Sequence, residues 1–184
     1  ITPNVFRPFT LRRKLSRLRQ ELLMNRHDRS ARLEQARVLI DLKRYADARN
    51  ALLELEQSMD ESADVLAELG LCSLKLGSTA DGERYMLKAL ELNPRVKFGE
   101  PYLRLGEAFA DVDAAKAIGY LEQFQQLHSS SCEAYYRLGQ IYKRLGRSEE
   151  AKRAFRETVD VYGGLPKYKK RTERRYALLA RLQA

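Results

Sequence analysis

The chain has 184 residues, 44% of them hydrophobic and 32% charged, with a formal net charge of +9. That apolar share is ample for a packed core, and only five Pro and ten Gly exclude a disordered or collagen-like chain. No run of eighteen apolar residues occurs, so nothing in it crosses a bilayer as a helix.

The charge is unevenly spread. Residues 1–26 and 166–184 each carry a net +6, which leaves a slightly acidic body of −3 between two basic ends. In the first end, residues 1–28, Leu11, Leu15, Leu18 and Leu22 recur at spacings of four, three and four. They predict an apolar stripe on an otherwise arginine-rich helix, Arg12, Arg13, Lys14 and Arg17 lying on its basic surface.

Four helix pairs are expected next. Residues 29–62 place Arg32, Gln35, Ala36 and Leu39 on a first helix and Ala48, Leu52 and Leu55 on a second. Residues 63–98 place Leu66, Leu69, Gly70 and Ser73, then Gly82, Met86 and Ala89, with Pro94 as the stop. Lys97-Phe98-Gly99 reads as a small inserted loop. Residues 99–131 repeat the pattern with Tyr102, Leu105, Gly106 and Phe109, then Ala117, Leu121 and Phe124, across a turn one residue short at 110–113. Residues 132–162 show it best: Tyr135, Leu138, Gly139 and Tyr142, a break at Gly146, and then Ala151 and Phe155. Ser148 is expected to cap that last helix, with Glu149 and Glu150 in its positive first turn. Tyr162-Gly163-Gly164-Leu165 reads as its terminator.

In the closing segment, residues 163–184, Leu165-Pro166 opens a helix to about Ala184. Tyr168, Tyr176, Leu179 and Leu182 are expected to cover the last pair, and Lys169, Lys170, Arg171 and Arg174 to form a second basic surface.

Gly70, Gly106 and Gly139 each follow a leucine and stand 36 and 33 residues apart. Tyr135-x2-Leu138-Gly139-x2-Tyr142 followed by Ala151-x3-Phe155 resembles the signature of the tetratricopeptide repeat (TPR). Tyr135 stands where that family often has Trp. The small residue after leucine lets two helices approach closely. The resemblance implies an all-α fold: a right-handed α-solenoid of about four helix pairs over 29–162, with flanking N- and C-terminal helices. The chain is also similar to soluble parts of bacterial TPR proteins that start with a short membrane anchor. It begins at Ile1, which leaves room for a preceding anchor or signal.

Family geometry carried onto this chain implies a partner-binding groove. It comprises Arg37 and Asp41, then Glu68, Leu71 and Lys75, then Arg104 and Glu107, then Tyr136, Arg137, Gln140 and Arg144. The groove is expected to be mixed in charge early and basic late. Some family members grip a C-terminal carboxylate with a lysine-asparagine-arginine clamp. The corresponding places hold Leu33, Arg37, Glu68, Glu100 and Arg104, so that use is disfavoured.

Catalytic chemistry is not expected. His27 and His128 stand apart in polar connections, and Cys72 and Cys132 are separated by two repeats. No zinc spacing, phosphate-binding glycine loop or serine elbow occurs, so neither metal nor cofactor is expected. The leading expectation is a non-enzymatic scaffold that holds a peptide or helix of another protein, one bearing acidic residues. It would act in the cytoplasm or at the cytoplasmic face of a membrane. The alternative is association of the basic terminal helices with a membrane surface or nucleic acid, the segment Phe6 to Leu23 lying on anionic lipid in the membrane case. The acidic body argues against a continuous nucleic-acid track.

Overall fold

The computed structural model describes residues 7–56 and 62–184. Phe6, counted above in the basic segment, and residues 57–61, at the close of the first expected repeat, lie outside them. Among the described residues the regular structure is helical, with no strand. The chain divides into two compact units, Ile1–Lys97 and Phe98–Ala184.

The first unit holds α1 (Arg7–Met24), α2 (Arg29–Asp41), α3 (Tyr45–Glu56), α4 (Ala63–Lys75) and α5 (Thr79–Leu92). Each packs on its neighbour in chain order. The leucine stripe on α1 behaves as its spacing requires: Leu15, Leu18 and Leu22 are buried and Leu11 half-buried. α2 starts where Asp28 accepts a hydrogen bond from Ala31 N at 2.9 Å, satisfying one of the free amides of its first turn. Ala36, Ala48, Leu52, Leu66, Leu69 and Met86 form the dry interior. α4 and α5 approach backbone to backbone at Gly70 and Gly82. A Cβ on Gly70 would lie 3.1 Å from the Gly82 carbonyl oxygen, and one on Gly82 would lie 3.2 Å from that of Gly70.

The second unit holds α6 (Glu100–Phe109), α7 (Ala114–Leu127), α8 (Cys132–Arg144), α9 (Ser148–Gly164) and α10 (Lys167–Arg181). The helices pack in sequence, and α10 also packs on α8. A Cβ on Gly106 would meet Leu121 Cγ at 2.5 Å, and one on Gly139 would meet Phe155 Cε1 at 2.5 Å. The leucine-glycine pairs therefore sit where second helices press on first helices, as the repeat register requires.

Several local expectations are corrected. Ser148 is the first residue of α9, not its cap. Left-handed Gly146 (φ 71°) turns the chain so tightly that Arg147 takes the cap position. α9 also runs through Gly163 and Gly164. It stops only when Pro166 forces Leu165 into an extended conformation (φ −69°, ψ 143°). On α10 the packed stripe is Ala177 and Ala180, with Tyr176 and Leu179 half-buried. Tyr168 and Leu182 fall off that stripe and are exposed, so they cover nothing.

The expected insert is a 3-10 turn, Val96–Gly99, in which Lys97, Phe98 and Gly99 all adopt left-handed backbone (φ 46°, 55° and 73°). For the two non-glycines this conformation is costly. Each has a compensating contact in its own unit. Lys97 Nζ reaches the Glu68 carboxylate at 2.5 Å, and His128 donates through Nε2 to the Phe98 carbonyl. The Phe98 side chain is 82% exposed and contributes little packing. Phe98→Gly is therefore expected to raise stability by about 1 kcal/mol, read from urea unfolding followed by circular dichroism. A loss instead would mean that the ring has an unseen packing role.

Candidate functional site

The expected groove residues lie on the first helices of the pairs: α2 and α4 in the first unit, α6 and α8 in the second. Within each unit the structure shows what they touch.

In the first unit, Glu68 on α4 is only 4% exposed. Its Oε1 accepts hydrogen bonds from Arg37 Nε at 2.9 Å and from Lys97 Nζ at 2.5 Å, while its buried Oε2 has no partner. The bond to Glu68 is the main reason that the Arg37 pKa is raised, despite partial burial. Leu71 is half-buried; Asp41 and Lys75 are exposed. Glu68 is thus a buried anchor rather than an open contact point.

In the second unit a row of charges joins α6 to α8. Arg104 donates to Glu100 through Nη2 at 2.5 Å and to Glu107 through Nη1 at 3.0 Å. Arg137 pairs with Glu107 and donates through Nη2 to Glu133 at 2.6 Å. Burial works against both guanidinium charges, but the carboxylates outweigh it and hold both pKa values above the usual. Two arginines interleave with three glutamates, so this row carries a net −1 and is not basic. The signal was available: Glu100–Arg104 and Glu133–Arg137 are acid-then-base pairs four residues apart. Arg144, farther along α8, is exposed and pairs with Asp111.

Tyr136 has a structural task. Its ring lies 5.8 Å from Phe155 of α9 and 5.9 Å from Tyr176 of α10, and its hydroxyl accepts a hydrogen bond from Gln140 Nε2 at 2.9 Å. α10 is fixed further by Glu173, which accepts from Glu133 N at 3.3 Å in the first turn of α8. Burial raises the Glu173 pKa, while hydrogen bonds from the backbone of Glu133 and Cys132 oppose the shift. Burial and the nearby Glu133 carboxylate push Tyr176 up to about 12.

The basic surfaces are mixed. Arg12, Arg13, Arg171 and Arg174 are exposed. Lys14 pairs with Glu34 and Arg17 with Glu21; Lys169 bonds to Ser130 Oγ, and Lys170 to the Gly163 carbonyl. Both thiols are free and buried. Burial pushes Cys72 up to about 12 and Cys132 to about 11, so neither is a ready nucleophile at neutral pH. No group of three or more His, Cys, Asp or Glu with metal-site geometry occurs among the described residues. Among them, too, no helix is long and apolar enough to cross a membrane. One cluster passed unnoticed in the sequence. Arg26, His27, Arg29 and Arg32 line a cleft of about 440 Å³ beside Glu54 and Leu55. Its three-residue spacing from Arg26 to Arg29 to Arg32 was the available sign.

Profiles of the tetratricopeptide repeat match residues 33–96 and 133–162. No curated protein sequence matches the chain. Solved structures do resemble it. The crystal structure of MamA has a TM-score of 0.73 at 19% identity, over 80% of this chain and 85% of that one. YrrB, described as a TPR protein with an unusual peptide-binding site, has a TM-score of 0.70 at 19% identity, over 97% and 87%. TTC0263, a thermophilic TPR protein of Thermus thermophilus, has a TM-score of 0.65 at 20% identity, over 93% of each chain. At such identities the likeness is one of fold.

Proposed function

This chain belongs to the tetratricopeptide repeat family, and on that premise we propose that it is a non-enzymatic scaffold whose first helices hold a peptide or helix of another protein. Its all-α fold of solenoid type and its role in protein interaction follow from the family. The binding residues and the nature of the partner are our reading. So is the division of 29–162 into repeats 29–62, 63–98, 99–131 and 132–162, between end segments 1–28 and 163–184.

The observation that carries the proposal is the row Glu100, Arg104, Glu107, Arg137 and Glu133 along α6 and α8. It is half-buried and rigidly paired, so it presents ordered donors and acceptors at low entropic cost. An acidic partner residue would meet exposed Arg144 first. It would then exchange with Glu133 or Glu107 for Arg137, so that no guanidinium is left unpaired. In the first unit Lys75 and Arg37 would meet acidic residues in the same way, Leu71 would meet an apolar side chain and Asp41 a basic one. Tyr136, held by Phe155 and Tyr176, would support this surface from below rather than touch the partner. Two buried free thiols suit a reducing cytoplasm.

The test uses a photo-reactive residue at Gln140 or at Lys75 to capture a partner from native extract. That partner's binding is then measured against Arg144→Glu and Lys75→Glu chains. Each reversal should weaken binding about tenfold, more at low salt than at high. Arg12→Glu with Arg13→Glu should leave it unchanged. Normal binding by both reversed chains, with loss in the α1 variant, would move the function to the basic ends.

A further inference from the structure

Apolar and basic side chains meet in the open at the corner between α1 and α2. α1 buries Leu15, Leu18 and Leu22, then ends in Leu23 and Met24, which are 74% and 92% exposed. The turn that follows is built rather than loose. Asn25 N donates to the Glu21 carbonyl at 2.9 Å, His27 N to Asn25 Oδ1 at 3.2 Å, and Asp28 N to the Asn25 carbonyl at 3.2 Å. It holds Arg26 and His27 at the rim of the 440 Å³ cleft, with Arg29 and Arg32 beside them and Glu54 and Leu55 completing the wall.

The wall of this cleft is mainly basic. Arg32 pairs with Glu54 and donates through Nη2 to the Arg26 carbonyl at 3.0 Å, which makes it a fixed part of the wall. Asp28 is turned to the Ala31 amide as the cap of α2. Among the described residues that line the cleft, three arginines stand with one carboxylate, that of Glu54. The planar fork of arginine matches the oxygens of a phosphate in a way that a lysine ammonium does not. Exposed Arg12, Arg13 and Arg19 add positive charge along the same helix. A purely solubilising surface would account for the arginines. It does not account for two neighbouring large apolar side chains held in water next to them. An apolar tip beside a basic pocket is the pattern of a contact that enters the boundary between headgroups and acyl chains.

We infer that the α1–α2 corner is a membrane-surface contact, in which the Arg26–Arg29–Arg32 cleft takes the phosphate of an anionic phospholipid while Leu23 and Met24 enter the headgroup boundary. This contact is independent of the protein-binding surface.

The experiment is co-sedimentation of the whole chain with phosphatidylcholine vesicles, with and without phosphatidylglycerol. Binding is expected only to the anionic vesicles and should weaken as salt rises. Leu23→Ser with Met24→Ser, and separately Arg26→Gln with Arg29→Gln, should each lower the partition about tenfold. Circular dichroism checks that each variant is folded. Met24→Ser alone, at a site 92% exposed, keeps the apolar arm testable if the double variant unfolds. Inorganic phosphate and a phosphoserine peptide, titrated without vesicles, separate the other sources of phosphate. Saturable binding of either that requires Arg26 and Arg29, with no vesicle binding, would overturn the membrane assignment. So would vesicle binding that survives both double variants and is lost only in Arg12→Glu with Arg13→Glu.

Discussion

Phe155→Ala is expected to lower the stability of the second unit by about 3–5 kcal/mol. The ring is 1% exposed and stands at the centre of that unit. On one side it fills the space left by the missing side chain of Gly139, whose Cβ would come within 2.5 Å of Cε1 and 2.7 Å of Cδ1. On the other side it carries Tyr136, and Tyr136 carries Tyr176 of α10. Truncation would open a cavity and leave the aromatic stack without its base, so α10 should loosen as well. The chain has no Trp, so near-ultraviolet dichroism comes mainly from its ten tyrosines, Tyr136 and Tyr176 among them, and urea unfolding gives the energy.

A second substitution makes the argument sharper. Gly139→Leu alone should cost about 1–3 kcal/mol, because the new side chain must displace a ring that has nowhere to go. In the Phe155→Ala background the same leucine would enter the vacated space. The double variant is therefore expected to lose clearly less than the two single losses combined. Simple additivity would mean that Gly139 and Phe155 do not share one space, and the repeat register would then lack its physical basis.

That register was legible because close approach is a local demand. It is met by one residue type, and the fold repeats the demand at Gly70, Gly106 and Gly139. The leucine stripe of α1 was legible for a similar reason, as four residues of one kind specify one face. What escaped depends on contacts distant in sequence. Nothing near Lys97 and Phe98 announces left-handed backbone; Glu68 and His128, about thirty residues away on either side, hold it. Gly163 and Gly164 looked like a stop, yet the helix yields only to Pro166. The residues expected to form a groove lie on first helices, but their chemistry was not legible in the sequence. Family geometry assigns Arg104, Tyr136 and Arg137 to one surface. It does not say that three glutamates already hold the arginines, or that α10 supplies Tyr176 to Tyr136.

Glu68 offers the other large effect, and the sign of that effect depends on which partner is removed. Its carboxylate is almost dry, with Oε1 shared by Arg37 and Lys97 and Oε2 unpartnered. Arg37 and Lys97 are themselves 43% and 29% exposed, so either can turn to water if the acid is gone. Glu68 has no such escape. Arg37→Met with Lys97→Met should therefore cost about 3–5 kcal/mol, the order of cost for a buried charge stripped of its partners. Glu68→Met alone should change stability by about 1 kcal/mol or less, since it replaces a costly buried ion by an apolar side chain of similar size. Adding Glu68→Met to the Arg37 and Lys97 variant should then recover most of what was lost. Urea titration of the four chains measures the cycle. If Glu68→Met alone proves as damaging as loss of both cations, the carboxylate is a net source of stability. If instead the recovery appears, Glu68 is kept for what it positions: Lys97 in its left-handed turn, and Arg37 on the face of α2 where a partner would pass.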